Sequence, residues 1–199
     1  RIPDPGDFYV FEFGRSESIL IVRGKDNEIR GFYNVCRHRG SRLCRHDADE
    51  KPNDPRLSVK QLGQSGSSPV FRCPYHAWTY DSAGDLVAVT RAKDFGEIDV
   101  SCLGLTPLPV AERAGLVFGV LTAGADVDFD GFMAGYDDVL AHLRLDECVV
   151  AGEQVLDGPN WKVAYDGYLD LYHLPILHWK TLGTDGGSHA IYDSWGPHQ

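Results

Sequence analysis

The chain has 199 residues, 43% of them hydrophobic, and a formal net charge of −10. That is room for one or two domains with a packed core. The acidic balance without a basic stripe argues against a nucleic-acid partner. No apolar run approaches membrane-spanning length. No charged segment followed by an apolar one opens the chain, so a cytoplasmic protein without a membrane partner is expected. Five Cys are present. Cys44, Cys102 and Cys148, which fall in no motif, are expected to be small buried or half-buried thiols in a reducing compartment.

Taken in order, residues 1–7 carry Pro3, Pro5 and Gly6 and read as turn. Phe8 to Phe13, Ser18 to Arg23 and Glu28 to Val35 are rich in β-branched and aromatic residues. They predict short antiparallel strands, with a hairpin turn at Lys25-Asp26-Asn27. Residues 45–68 are charged at first and then rich in Pro, Gly and Ser. They predict a solvated inserted loop with a short strand at Arg56 to Leu62 and a solvated His46. Ala77 to Tyr80 and Leu86 to Thr90 read as a hairpin across 81–85. Leu108 to Glu112 and Leu116 to Leu121 read as another across Arg113-Ala114-Gly115. The pattern stops at Thr122-Ala123-Gly124-Ala125, which places one domain at 1–122 and a second at 123–199. Phe129, Phe132, Met133, Tyr136, Val139, Leu140 and Leu143 then recur at helical spacing. They predict a core-facing helix over 128–145, capped by Asp128 or Asp130. Cys148 to Leu156 predicts a strand that Asp157-Gly158-Pro159 ends.

Two stretches carry chemistry. Cys36-Arg37-His38-Arg39-Gly40 and Cys73-Pro74-Tyr75-His76-Ala77-Trp78 each offer one thiolate and one imidazole. A Rieske [2Fe–2S] cluster takes two Cys on one iron and two His on the other. Two loops closing from opposite sides supply that set. A Cys2His2 zinc site is the chemical alternative, although zinc fingers usually pair Cys with Cys and His with His. The segments 34–40 and 73–80 resemble the cluster loops of Rieske non-haem iron oxygenases, the α subunits of ring-hydroxylating systems. By that resemblance Cys36, His38, Cys73 and His76 are the cluster ligands. In respiratory Rieske proteins each loop holds an extra Cys, and the two form a disulfide. Ser41 and Tyr75 stand at those positions here. Fewer polar constraints at the sulfurs are then expected, with a potential at the low end of the Rieske range, on the order of −150 mV. The 45–68 insertion departs from the family, which commonly places far fewer residues between the first His and the second Cys.

The second stretch is 160–178. Asn160 is a good N-cap, and a helix following it places Asp166, Asp170 and His173 within a sector of roughly 60°. His178 would point elsewhere on a regular helix, and Pro175 is expected to disturb the helix so that both His aim at one point. Two His and a carboxylate with open positions form the facial triad of non-haem Fe(II) oxygenases. The segment resembles the iron-binding helix of the same family. The resemblance makes His173 and His178 iron ligands. It makes Asp170 the acidic residue that links the iron site to a neighbouring subunit's cluster His, and Asp166 a supporting group near the iron. The third ligand lies far downstream in the family, and Asp185 and Asp193 are too near to match it.

The resemblance implies an α+β protein. An all-β Rieske domain would precede the beginning of a helix-grip (START-like) catalytic domain, with the chain a fragment truncated at both ends. It implies a [2Fe–2S] cluster and a mononuclear Fe(II). It also implies electrons from NAD(P)H through a reductase or ferredoxin, a homotrimer with or without a β subunit, and O2 with a small organic substrate. Hydroxylation of an aromatic or related compound is the expected reaction. A monooxygenase acting on a quaternary ammonium compound and a Rieske ferredoxin-type electron carrier are the alternatives.

Overall fold

The computed structural model describes residues 1–14, 17–45, 62–183 and 191–198. Its compact units are Arg1–Phe129 with Asp137–Val149, and Asp130–Tyr136 with Val150–Gln199.

In the first unit, β1 (Asp7–Phe13), β2 (Glu17–Arg23) and β3 (Ile29–Tyr33) form an antiparallel meander. Alternation in β1 sends Phe8 and Val10 inward, and Leu20 and Val22 of β2 face the same core. The β2–β3 turn closes where Gly24 N–H donates to the Glu28 carbonyl, with Asn27 at a φ of 68°. The Asp26 carboxylate accepts from Glu28 N–H and pairs with Arg30, which holds its pKa well below the usual carboxylate range. β4 (Ser65–Ser67) adds to the outer edge of β1, and β8 (Pro107–Leu108) to β3, giving the order β4-β1-β2-β3-β8. The stretch expected as an inserted loop is therefore not loop throughout. Its Ser-Gly-Ser end is a strand, because backbone pairing along the free edge of β1 needs no apolar side chain. The strand expected at Arg56 to Leu62 lies outside the described residues except for Leu62, which bridges to Cys44. His46 also lies outside them.

A second sheet, β5 (Val70–Arg72), β6 (Thr79–Asp81) and β7 (Leu86–Ala88), packs on the first through an edge-to-face contact of Phe8 with Phe71, centroids 5.4 Å apart. The shared core comprises Phe8, Val10, Leu20, Val22, Phe32, Leu43, Phe71, Trp78, Tyr80, Leu86 and Leu105, with Cys36, Cys44 and Cys73 among them. The β6–β7 turn requires Gly84. Its φ is +88°, and a Cβ there would stand 2.4 Å from Phe32 Cε1. The single strand expected at Leu108 to Glu112 is split at Pro109. β8 pairs with β3, whereas β9 (Val110–Arg113) pairs with β10 (Leu116–Gly119). Pro109 lacks an N–H and cannot continue one ladder into the other. Buried Arg23 ties three segments together, donating to the Ile2 and Asn27 carbonyls and pairing with Glu112 of β9.

The helix expected over 128–145 is broken. α1 (Phe129–Met133) and α2 (Tyr136–Ala141) are separated by Ala134 and Gly135, both at positive φ. Nor is its stripe a core stripe: Met133 is buried, but Phe132, Val139 and Leu143 are exposed. Cys148 to Leu156 forms no strand, because it finds no pairing partner among the described residues. Val149 and Val155 are 89% and 87% exposed.

In the second unit, α3 (Trp161–Leu169) starts at Asn160, whose side chain accepts from Lys162 N–H. α4 (Leu174–Leu177) and α5 (Trp179–Leu182) follow. The interruption falls at Asp170, in extended conformation, and not at Pro175. Pro175 sits in the first turn of α4, where a missing N–H costs nothing. Trp195 and His198 pack on Tyr136, and the His198 ring meets Phe132 edge-on. Among the described residues no helix is long and apolar enough to cross a membrane.

Candidate metal centres

The two Cys-His loops have one backbone design. In the first, Cys36 N–H donates to the Ser41 carbonyl and Gly40 N–H to the Cys36 carbonyl, at 2.8 and 3.0 Å. In the second, Cys73 N–H donates to the Trp78 carbonyl and Ala77 N–H to the Cys73 carbonyl, at 2.8 and 2.9 Å. The fourth residue after each Cys is left-handed, Gly40 at a φ of 71° and Ala77 at 58°. Each loop is thus a closed turn that fixes its Cys inward. The first is anchored by Asn34, fully buried at the end of β3. Its amide donates to Ser18 Oγ and the Cys44 carbonyl, and its oxygen accepts from the N–H groups of Leu43 and Cys44.

The loops bring the four candidate ligands together as two pairs. The Cys36 and Cys73 side chains interact with one another, and the His38 and His76 rings lie 4.7 Å apart. That interaction, with burial, raises the Cys36 pKa. It lowers that of Cys73, which burial opposes and which the N–H groups of Tyr75 and His76 and the Ser41 side chain reinforce. The pair thus favours one thiolate, at Cys73, and metal binding would displace the proton that the two sulfurs share, since a ligating Cys is deprotonated. His38 Nδ1 is buried and has no hydrogen-bond partner among the described residues. An imidazole nitrogen held dry and unpaired suits an iron ligand. Two sulfurs together and two imidazoles together is the division a Rieske cluster asks for.

The wall around the pairs is aromatic. Trp78 stacks on His38 at 4.7 Å with planes 8° apart, Phe95 stands edge-on to both, and Tyr75 stacks on the exposed His76 at 3.8 Å. Tyr80 reaches across from β6. Its hydroxyl lies 3.3 Å from Cys36 Sγ and accepts from Arg37 N–H at 3.0 Å. Burial first, and then the contact with Cys36, push the Tyr80 pKa up, so the phenol stays protonated and can donate to sulfur. The five Cys are free, as expected from Ser41 and Tyr75. The sulfurs nevertheless meet polar groups, from Tyr80, Ser41 and the loop backbone. Cys44 is buried as expected, whereas Cys102 and Cys148 are exposed. A surface groove of about 720 Å³ beside β7, lined by Leu86, Val87, Ala92, Glu97, Asp99 and Val100, carries no Cys or His.

The second unit assembles part of a second centre. His173 and His178 flank α4, and their rings are 5.3 Å apart. Asp170 Oδ1 accepts from Tyr172 N–H at 2.8 Å, while Oδ2 lies 3.3 Å from His173 Nδ1. The carboxylate therefore shapes the turn and faces one nitrogen of His173, leaving Nε2 on the other side of the ring. Asp166 is on α3 and exposed, and its backbone carbonyl accepts from Asp170 N–H. Asp185 lies outside the described residues. Sequence reasoning missed the anchoring by Asn34, the reach of Tyr80, the cover given by Phe95, and Tyr192, whose hydroxyl donates to the Leu169 carbonyl. A signal existed only for Asn34 and Tyr80, which sit inside the two motif stretches.

Residues 2–104 match the Rieske [2Fe-2S] domain family, and residues 145–199 match the ring hydroxylating alpha subunit catalytic domain. The chain belongs to the Rieske non-haem iron oxygenase α subunits. This family binds a Rieske [2Fe–2S] cluster and a mononuclear iron, and it accounts for the α+β organisation, a sheet-rich Rieske domain followed by part of the catalytic domain. The chain is 33% identical to the glycine betaine monooxygenase oxygenase subunit of Chromohalobacter salexigens, over 92% of its own length and 37% of the relative's. It is similar to a crystal structure of the quaternary ammonium Rieske monooxygenase CntA. The TM-score is 0.74 at 30% identity, covering 92% of this chain and 46% of that one. For naphthalene 1,2-dioxygenase from Rhodococcus the TM-score is 0.67 at 31% identity, covering 91% and 39%. The chain spans less than half the length of these relatives.

Proposed function

We propose that Cys36, His38, Cys73 and His76 hold a [2Fe–2S] cluster in a Rieske domain at 1–122. His173 and His178 hold a mononuclear iron in the domain that starts at 123. The whole protein is then the oxygenase component of a system that hydroxylates a small organic substrate with O2. Electrons come from NAD(P)H through a reductase or ferredoxin in the cytoplasm, and the subunits form a trimer. The observation that carries this reading is the pairing of Cys36 with Cys73 and of His38 with His76 around a buried imidazole nitrogen that has no partner among the described residues.

When bound, the cluster supplies single electrons and the Fe(II) activates O2. The chain's own side chains prepare both places. Backbone N–H groups, Ser41 and Tyr80 neutralise charge on the sulfurs. Trp78 and Phe95 keep water from His38, while His76 remains at the surface, where an electron enters or leaves. Asp170 holds the proton of His173 at Nδ1 and presents Nε2 to the metal. Asp166, one turn earlier on the same segment, adds negative charge to that side. An acidic side chain elsewhere in the whole protein completes the iron site.

A quaternary ammonium compound is the substrate class favoured over an aromatic ring, since the likeness in structure is greater to the monooxygenase of that class than to naphthalene dioxygenase. The test is O2 uptake by the full-length protein with a reductase and NADH. Stimulation by glycine betaine or carnitine, and not by benzoate or naphthalene, is expected. No stimulated uptake by any of them, with both metal centres loaded, would overturn the oxygenase reading.

A further inference from the structure

We infer that the Trp78 indole N–H is a hydrogen-bond donor to an inorganic sulfide of the cluster and raises its reduction potential. This rests on the ligand assignment above. Among the described residues, the buried side-chain nitrogens and oxygens without a partner are His38 Nδ1 and Trp78 Nε1. They belong to one stack, with ring planes 8° apart and centroids at 4.7 Å. A cluster bound at His38 explains the first atom through iron. The second is a donor, and iron cannot satisfy it.

Trp78 is 4% exposed, and Phe95 stands against the same ring with centroids 6.0 Å apart, so solvent is not the acceptor. Leaving a buried N–H unpaired costs about 1–3 kcal/mol, and buried Trp normally finds a partner. The indole is not free to swing elsewhere, because it is buried between the His38 ring, on which it stacks, and Phe95. Sulfur is the acceptor the site offers. The Cys36 sulfur already has the Tyr80 hydroxyl, and the Cys73 sulfur has the N–H groups of Tyr75 and His76 and the Ser41 side chain. Of the cluster's sulfurs, those left are the inorganic sulfides. A donor to sulfide favours the reduced cluster, which is the more negative form, and so moves the potential upward.

The test is the substitution Trp78→Phe, which keeps an aromatic ring on His38 and removes the N–H. Cluster content is taken from the EPR signal of the reduced protein, and the potential from a redox titration followed by that signal. A loaded variant with a more negative potential supports the donor. A loaded variant at the wild-type potential overturns it. The wild-type protein gives an independent readout that does not depend on how the variant folds. With tryptophan labelled with 15N in the indole, the reduced cluster should show hyperfine coupling to an indole nitrogen and to its exchangeable hydrogen. Absence of both couplings overturns the donor. A wild-type protein without any Rieske signal sinks the ligand assignment itself, a failure distinct from the other two.

Discussion

Asn34→Ala should damage the protein far more than its place in a polar motif suggests. The side chain is fully buried and makes four hydrogen bonds, to Ser18 Oγ, to the Cys44 carbonyl and from the N–H groups of Leu43 and Cys44. Ser18 keeps a partner in Glu12. The two backbone N–H groups do not, and stranding each costs about 1–3 kcal/mol. With the lost bond to Cys44, worth about 0.5–1.5 kcal/mol, the sum is about 3–7 kcal/mol. For a domain of this size, that lowers Tm by roughly 10–30 °C. The assay is thermal unfolding by circular dichroism, with cluster content read in the visible region of the same sample. Asn34→Asp separates this mechanism from a general packing defect. Ionised, the new oxygen faces the Cys44 carbonyl, which raises its pKa. Protonated, it can donate there as the amide did. The deficit against wild type should therefore shrink as pH falls through the raised pKa. A Tm drop below about 3 °C for Asn34→Ala, or a deficit in Asn34→Asp that does not change with pH, would refute the reasoning.

Gly84→Ala should cost about 2–4 kcal/mol in thermal unfolding, because a positive φ and Phe32 both oppose the new methyl group, whereas Gly40→Ala meets only the φ penalty and should cost less. Burial pushes the Cys44 thiol up to about 12, so the stability it contributes is fully present below the unfolded-state pKa of about 8.5 and is lost as pH rises toward 12. Cys44→Ala should flatten the alkaline limb of the stability curve, and thiol labelling of the native protein at pH 8 should reach Cys102 and Cys148 but not Cys44. Asp170→Asn in the full-length protein should leave the cluster's EPR signal intact while NADH-driven turnover falls by about 10–100-fold. Reoxidation of the reduced cluster at the wild-type rate in a single turnover would show that Asp170 plays no part.

Much of the first unit was legible because its signals are local. The β-branched and aromatic composition of Phe8 to Phe13 and Ser18 to Arg23 marked the strands, and Gly84 and Asn27 marked the turns. The two Cys-His loops were visible because ligand type and spacing survive in one dimension. What escaped depends on partners. Ser65–Ser67 has no strand-forming composition and became a strand through the open edge of β1. Val149 to Val155 has that composition and met no edge among the described residues. The apolar stripe at 129–143 has helical spacing throughout, yet the backbone at Ala134 and Gly135 turns left-handed and cuts it. In the second metal segment Pro175 drew attention as a breaker, but the Asp170 carboxylate, by capping Tyr172 N–H, breaks the helix first. The left-handed Ala77 was hidden because its equivalent in the first loop is a glycine and no residue type announces the match.

The measurement closest to the central claim is a joint assay of iron, zinc and acid-labile sulfide on the purified chain, with EPR of the reduced sample. The ligand set Cys36, His38, Cys73 and His76 requires a brown protein with acid-labile sulfide, at least as much iron as sulfide, and a Rieske signal, which Cys36→Ser and His76→Ala each abolish. A colourless protein carrying zinc and no sulfide would contradict it.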